Sequence, residues 1–273
     1  MNWFALRVES PHQRERIIAA LIDAGAPGVH EDGTALLTHY QSESAARLAA
    51  AAVTGMESNA VLRIESVADV DWTTAWRRQM RAFSLGAPTI APPWLADGLD
   101  PANAVVIDPG MAFGTGDHAS TRSAVRLMQT VIRAGDLVAD LGTGSAVLAI
   151  AAAKLGAGRI IGVDLDPDAL GNARENVERN GVGNVVHLLD GNAATLLPLI
   201  GPVDVIVANI TANVLYELLP AMSGAVNDAG RAVVAGILEA EGGAFVNAAM
   251  AHGWILVRSC REEGWWSALF ARR

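Results

Sequence analysis

Along the first 67 residues the spacing of apolar positions switches between two periods. Residues 2–9 (NWFALRVE) alternate and predict a strand. Between residues 11 and 25, Ile17, Ile18, Leu21 and Ile22 fall on one face of a helix whose first turn suits Pro11. Strand-like pieces follow at residues 28–31 and 35–40, divided by Asp32 and Gly33, a strong hairpin turn signal. Residues 42–53 return to the helical period, and residues 60–67 (AVLRIESV) to a strand. The order βαββαβ predicts a small α+β unit of the ferredoxin-like kind. It carries no glycine-rich turn and no cluster of polar side chains, so it is expected to recognise a partner and not to host a reaction.

From Asp69 the pattern changes. Residues 69–83 (DVDWTTAWRRQMRAF) predict an amphipathic helix capped by Asp71, with Trp72, Trp76, Met80 and Phe83 along one packing stripe. Residues 86–101 hold Pro88, Pro92, Pro93 and Pro101 and predict a stiff connector. Beyond it strands and helices alternate. Strands are predicted at residues 104–107, 137–141, 160–164, 185–189, 203–208, 231–236, 255–259 and 267–271, and helices at 118–133, 145–155, 167–180, 213–225 and 239–252. The runs at Leu137, Ile160 and Val203 are short and show little alternation, as expected of parallel strands buried on both faces. Such a chain is doubly wound α/β, with its site at the carboxyl ends of the central strands. Three parts result: a ferredoxin-like recognition domain at residues 1–67, a linker helix and Pro-rich connector at 68–101, and a Rossmann-like catalytic domain at 102–273.

Composition narrows the partners. Hydrophobic residues make up 51% of 273, enough for a sizeable core, yet no apolar run reaches the ~20 residues of a membrane span. The N-terminal residues meet charge too soon for the apolar region of a signal peptide. A single cysteine, Cys260, allows no internal disulfide and no multi-cysteine metal site, so no metal is expected and the cytoplasm is the default compartment. The net charge of −9 lacks the footprint of a dedicated nucleic-acid binder. It either keeps the protein soluble or draws in a basic partner over long range.

Two glycine-rich runs stand close together, residues 108–122 (DPGMAFGTGDHASTR) and 140–150 (DLGTGSAVLAI). The second follows a predicted strand and enters a helix. The next strand, RIIGVD, closes on Asp164, 22 positions beyond Gly142 (164 − 142). Gly142 and Gly144 let the backbone bend sharply against a ligand, where a β-carbon would clash. Asp164 is placed to accept hydrogen bonds from ribose hydroxyls. The spacing departs from the dinucleotide fingerprint, because Ala146 follows Gly144 and Val147 stands where a third glycine or alanine would fall. Asp140 at the strand end would repel a pyrophosphate but suit a cationic ligand. S-adenosyl-L-methionine meets both demands, having an adenosine, no phosphate, a sulfonium and an α-ammonium. Asp190 closes the following strand, where a polar residue can meet the adenine amine. Asn209 closes the one after, where an amide could orient a substrate amine. Taken singly, each serves equally well as an ordinary turn residue.

Together these residues resemble the ribosomal protein L11 methyltransferases, the PrmA family, over nearly the whole chain. The likeness runs through residues 71–76 (DWTTAW), DPGMAFGTGDHASTR, DLGTGSAVLAIAAAKLGA, GVDLDPDAL, ENVERNGV, VANI and the C-terminal GWWSALFARR. The resemblance implies a class I methyltransferase fold and methylation, from S-adenosyl-L-methionine, of amino groups on a protein of the large ribosomal subunit. Those amines would be lysine side chains and the N-terminal α-amine, with the ferredoxin-like domain gripping the substrate. Neither nucleic acid nor membrane is expected as a partner, and the enzyme is expected to be a monomer. The family's donor-binding positions fall on Thr121, Gly142, Asp164 and Asn209, and Gly144 joins them from the same turn. The first glycine-rich run is expected to form a lid in which Phe113 covers the ligand while Gly114 and Gly116 let the backbone close. The sequence departs from the family pattern at Asp117, at Ala119 with Ser120, and at Ala146, which replaces the last glycine of the turn.

Only a neutral amine can attack a sulfonium methyl. A lysine amine has a reference pKa of about 10.4 and an α-amine about 8. Desolvation beside a cation lowers both, so positioning can stand in for a strong base. Asn209 is assigned to orienting the amine, with the backbone near Ile210 accepting its hydrogen bonds. His118 is either a general base or a helix-start residue bonded within its own loop. Competing readings are an RNA or small-molecule methyltransferase, an NAD-dependent oxidoreductase, and a non-catalytic ribosome-assembly factor. The acidic charge and the lack of an N-P-P-[YF] run count against RNA-base methylation, and the glycine spacing against the oxidoreductase. Ala146 is the one support for the assembly factor.

Overall fold

The computed structural model describes residues 3–10, 14–26, 28–32, 35–57, 59–67, 80–108 and 116–273, which fall into two compact units divided between Gln79 and Met80. The first unit holds β1 (Trp3–Glu9), α1 (Arg14–Asp23), β2 (His30–Asp32), β3 (Ala35–Tyr40), α2 (Glu43–Met56) and β4 (Val61–Val67). Its strands form one antiparallel sheet in the order β2-β3-β1-β4, so the two strands joined through α1 are separated by β3. Period-two alternation sorts the side chains: Leu6 and Val8 of β1 and Leu36 and Tyr40 of β3 join Ile17 and Leu21 of α1 and Ala46, Ala49 and Val53 of α2 in one core. Ser42 starts α2 by accepting the amide of Ala45 at 3.2 Å.

The second unit opens with a feature the sequence pattern does not predict. β5 (Phe83–Ser84) forms where the linker helix is expected to end, residues 69–79 of that expected helix lying outside the described residues. β6 (Thr89–Ala91) forms inside the stretch read as a Pro-rich connector, and both strands join β7 (Ala104–Val106) in a three-stranded sheet. The strand expected at residues 104–107 therefore stands apart from the main sheet. Prolines mark the bends here, and the residues between them supply a buried face: Ile90 is 1% exposed, Val105 and Ile107 fully buried.

The main sheet comprises β8 (Leu137–Leu141), β9 (Arg159–Asp164), β10 (Val186–Asp190), β11 (Val203–Asn209), β12 (Val226–Leu238), β13 (Trp254–Glu262) and β14 (Trp265–Arg272). The order is β10-β9-β8-β11-β12-β14-β13, with β14 antiparallel to both neighbours and the other pairs parallel. On one face pack α3 (Ala119–Met128), α4 (Val147–Lys154) and α5 (Pro167–Arg179). On the other pack α6 (Ala193–Ile200), α7 (Ala212–Ala225) and α8 (Gly242–Ala251). This bears out the doubly wound, Rossmann-like reading. The missing alternation of the central strands has its explanation here: Val205 and Val207 of β11 enter one core, Ile206 and Ala208 the other. Helix α6 has no counterpart among the predicted elements. Its leucines follow no clean helical period and Pro198 interrupts it, but Asn192 caps it by accepting the amide of Ala194 at 2.8 Å.

Strand order reverses between β8 and β11, which pair in parallel from Val138 opposite Val205 to Leu141 opposite Ala208. A crevice opens at the carboxyl ends of strands where that happens. Among the described residues no helix is long and apolar enough to cross a membrane, and no group of three or more His, Cys, Asp or Glu could hold a metal ion.

Candidate active site

The turn that leaves β8 is left-handed three times, at Gly142 (φ 70°), Gly144 (φ 54°) and Ala146 (φ 65°). The amides of Gly142 and Thr143 both donate to the carbonyl of Val163, at 2.8 and 3.0 Å, which ties the turn to β9. A β-carbon on Gly142 would stand 2.4 Å from Cγ2 of Ile210, so only glycine fits between β8 and the loop after β11. The amide of Gly144 donates to Asp164 Oδ2 at 2.8 Å, and the amide of Asp166 donates to Oδ1 at 3.0 Å. Asp164 is thereby aimed by the turn it faces. Ala146 accepts a conformation that costs an L-residue about 1–2 kcal/mol.

Asp140, at 1% exposure, governs the start of α4. Its Oδ2 accepts the hydroxyl of Thr143 at 2.7 Å and the amide of Ala149 at 3.1 Å. Its Oδ1 is buried with no hydrogen-bond partner among the described residues. Burial pushes the carboxyl pKa up to about 7, the two donated bonds pull it down, and the charge of Asp164 adds a smaller push upward. A cation beside Oδ1 would favour the ionised form.

An open groove of about 300 Å³ runs from Gly142 past Asp164 and Leu165 to Gly191 and Asn192, with Ile210, Val214 and Glu217 on the side of β11 and α7. Leu165 and Val214, 67% and 44% exposed, give the groove an apolar lining beside its polar groups. Asp190 closes β10 in register with Asp164, as expected of a strand end, but it is exposed and does not line the groove. Gly191 and Asn192, the next two residues, line it instead. The sequence reading passed over them, although a glycine and a helix-capping asparagine directly after a strand are the signal of such a position.

At the end of β11, Asn209 Nδ2 donates to Thr121 Oγ1 at 3.0 Å. Thr121 is fully buried on the first turn of α3, and its own hydroxyl proton remains to be donated. The carboxamide oxygen of Asn209 is buried and has no partner among the described residues. Gly236 of β12 (φ 81°) lies against it: a β-carbon there would stand 3.0 Å from Asn209 Oδ1 and 2.6 Å from the carbonyl oxygen of Ile210. Gly236 is a third position, after Gly191 and Asn192, that the sequence does not single out. His118 caps α3, its Nδ1 within 2.7 Å of Ser120 Oγ and accepting the amide of Ser120 at 3.3 Å, with its ring edge-on to Trp265 at 4.7 Å. Those contacts are the helix-start alternative. Phe113 and Gly114 lie outside the described residues.

The carboxyl ends of β8, β9 and β11 thus bring together Asp140, Gly142, Gly144, Asp164 and Asn209, with Thr121 bonded to Asn209; of these, Gly142 and Asp164 line the groove. A dinucleotide enzyme leaves the helix-start amides free for a pyrophosphate. Here the Ala149 amide is already taken by a carboxylate. Fold and site together define a methyltransferase that uses S-adenosyl-L-methionine. The family model described as ribosomal protein L11 methyltransferase (PrmA) matches residues 29–273. A ribosomal protein L11 methyltransferase of Pelotomaculum thermopropionicum is 42% identical over 209 residues, 76% of this chain and 67% of that protein. One from Thermus thermophilus is 42% identical over 212 residues, 75% of this chain and 78% of that protein. The crystal structure of a ribosomal protein L11 methylase from Lactobacillus delbrueckii subsp. bulgaricus matches with a TM-score of 0.64 and 29% identity, covering 71% of this chain and 100% of that one. The chain belongs to the ribosomal protein L11 methyltransferase (PrmA) family.

Proposed function

We propose that the chain methylates amino groups of ribosomal protein L11, on lysine side chains and at the N-terminal α-amine. The observation that carries the amine as nucleophile is the pair of acceptors beside Gly236. Asn209 Oδ1 and the Ile210 carbonyl oxygen both crowd the space that glycine leaves open. An unpartnered amide oxygen beside a backbone carbonyl complements an amine, which brings at least two N–H groups. A carboxylate nucleophile would meet oxygen with oxygen and be repelled.

The bound donor supplies an electrophilic methyl on a sulfonium. The chain's own groups do the rest by position and desolvation. Asp140 Oδ1 would pair with the donor's α-ammonium, Asp164 would accept from its ribose hydroxyls, and Gly142 and Gly144 would let the backbone come close. Leu165, Val214 and Asn192, which line the groove, would hold the purine. Asn209 and Ile210 hold two amine protons so that the lone pair points along the line of displacement. Well-oriented reactions gain about 7–11 kcal/mol in this way, and no strong base is then needed. The first unit would grip the substrate, and the net charge of −9 favours a basic one. One chain suffices, in the cytoplasm, with no nucleic acid.

The test is incubation of the protein with isotopically labelled donor, purified ribosomal protein L11 and ribosomal RNA, followed by mass spectrometry. Label on L11 lysines and its N-terminus is expected, and Asn209→Ala should lower kcat about 100-fold at near-normal donor affinity. Label on RNA alone, or a near-normal Asn209→Ala enzyme, overturns the reading.

A further inference from the structure

We infer that Asn176, on α5 and out of reach of either reactant, is a positioning residue that sets the shape of the donor turn. The inference rests on the reading that this turn binds the donor. Asn176 is fully buried, and all of its amide is engaged. Its Oδ1 accepts the amide of Asp108 at 2.9 Å and Nη1 of Arg179 at 2.5 Å. Its Nδ2 donates to the carbonyl of Ser145 at 3.1 Å, with longer bonds to the Asp108 carbonyl and Asn172 Oδ1 at 3.3 Å.

One turn further along α5, Asn180 does half of the same work. Its Oδ1 accepts the amide of Val106 at 2.8 Å and its Nδ2 donates to the carbonyl of Val106 at 2.6 Å. Two asparagines four residues apart thus pair with the N–H and C=O of Val106 and of Asp108, alternate residues of an extended segment. A neighbouring strand would make the same bonds. Asn176 alone of the two also reaches the turn.

What it reaches there matters. Ala149 is the third residue of α4, so its amide has no carbonyl partner within the helix. In this chain the Ala149 amide donates to Asp140 Oδ2, and the Ser145 carbonyl accepts from Asn176. Asn176 thereby pins the turn just before α4 by the Ser145 carbonyl, while Asp140 holds the helix start by the Ala149 amide. Its action on the donor passes through Ser145 and Asp140.

The test compares Asn176→Ala with Asn180→Ala. Both remove an amide bonded to the same segment, fully buried at Asn176 and half-buried at Asn180, so both are expected to lower the thermal midpoint. Calorimetric titration with S-adenosyl-L-methionine, at a temperature where both are folded, separates them. Asn176→Ala should weaken donor binding about tenfold and shift the pH midpoint of binding, as loss of one buried hydrogen bond beside a titrating group would. Asn180→Ala should bind within about twofold of the parent, with the midpoint unmoved. Equal losses in the two variants, or an unmoved midpoint in Asn176→Ala, overturn the inference. If Asn176→Ala does not fold, Asn176→Ser is measured in its place by the same criteria. Failure of the parent protein to bind the donor would sink the underlying reading instead.

Discussion

Asn209 and Thr121, 88 residues apart in sequence, are joined by a 3.0 Å hydrogen bond that fixes which end of the buried carboxamide meets the threonine. Because Nδ2 is held by the threonine oxygen, Oδ1 is the atom left without a partner among the described residues. Thr121→Val keeps the side-chain shape but removes that acceptor, so the amide can turn over. Its kcat is expected to fall about 10–100-fold with donor affinity within about threefold, whereas Thr121→Ser should stay near the parent. Steady-state kinetics with a parallel donor titration read the split.

Gly236 is expected to be the least tolerant glycine of the crevice. A methyl group there would meet the Ile210 carbonyl oxygen at 2.6 Å and Asn209 Oδ1 at 3.0 Å, on a left-handed backbone besides. Gly236→Ala should lose more than about 100-fold in kcat while costing about 1–3 kcal/mol of stability. A variant with parental turnover would remove the two oxygens from the chemistry.

Asp140 makes both stability and donor binding depend on pH. Folding raises its pKa from 3.8 to about 7. Between those values the folded protein keeps a proton that the unfolded chain has lost, so this group's contribution is fully present below the unfolded pKa. It falls as pH rises toward 7, by up to about 1.4 kcal/mol per unit. Asp140→Asn should flatten that slope in urea titrations run across the range. A cationic donor favours the ionised carboxyl, so binding should tighten with pH up to about 7 and expel a proton below it. Calorimetry near pH 6.5 in two buffers of different ionisation heat measures the release, which Asp140→Asn should abolish.

Ala146 offers a test of balance. Glycine would relieve about 1–2 kcal/mol of left-handed strain, but would add about 0.5–1 kcal/mol of unfolded-state entropy. It would also give up about 0.8 kcal/mol for a buried methyl. Ala146→Gly should therefore lie within about 1 kcal/mol of the parent. Ala146→Val, β-branched at φ 65°, should lose more than about 2 kcal/mol. Chemical denaturation of the pair checks both.

How much of this was legible in the sequence follows from the range of the interactions. The donor turn and Asp164 could be read because a strand, a glycine pair and the next strand end lie within one βαβ stretch. The central strands could be read because burial on both faces leaves an unbroken apolar run. Asp190 was located correctly as a strand end, yet the chain turns directly after it, and Gly191 and Asn192 line the groove. Gly236 and Ile210 could not be paired in advance, since only the packing of β11 against β12 brings them together. The connector misled because its prolines are conspicuous, while the burial of Ile90 and Val105 depends on distant helices.

The pairing of β8 with β11 has a consequence for how the enzyme comes to exist at all. Gly142 and Asp164 lie before the reversal in strand order, Asn209 and Ile210 after it. No local loop closure can unite them, and long-range parallel pairing is slow to form. The donor's full binding site is therefore absent until the two halves of the sheet have zipped together. A ligand that recognises only the finished state braces it, by about 2.7 kcal/mol when present at a hundred times its dissociation constant. Cellular supply of methyl donor would then set the lifetime of the polypeptide as well as its turnover, with proteases taking the chains that starvation leaves unbraced.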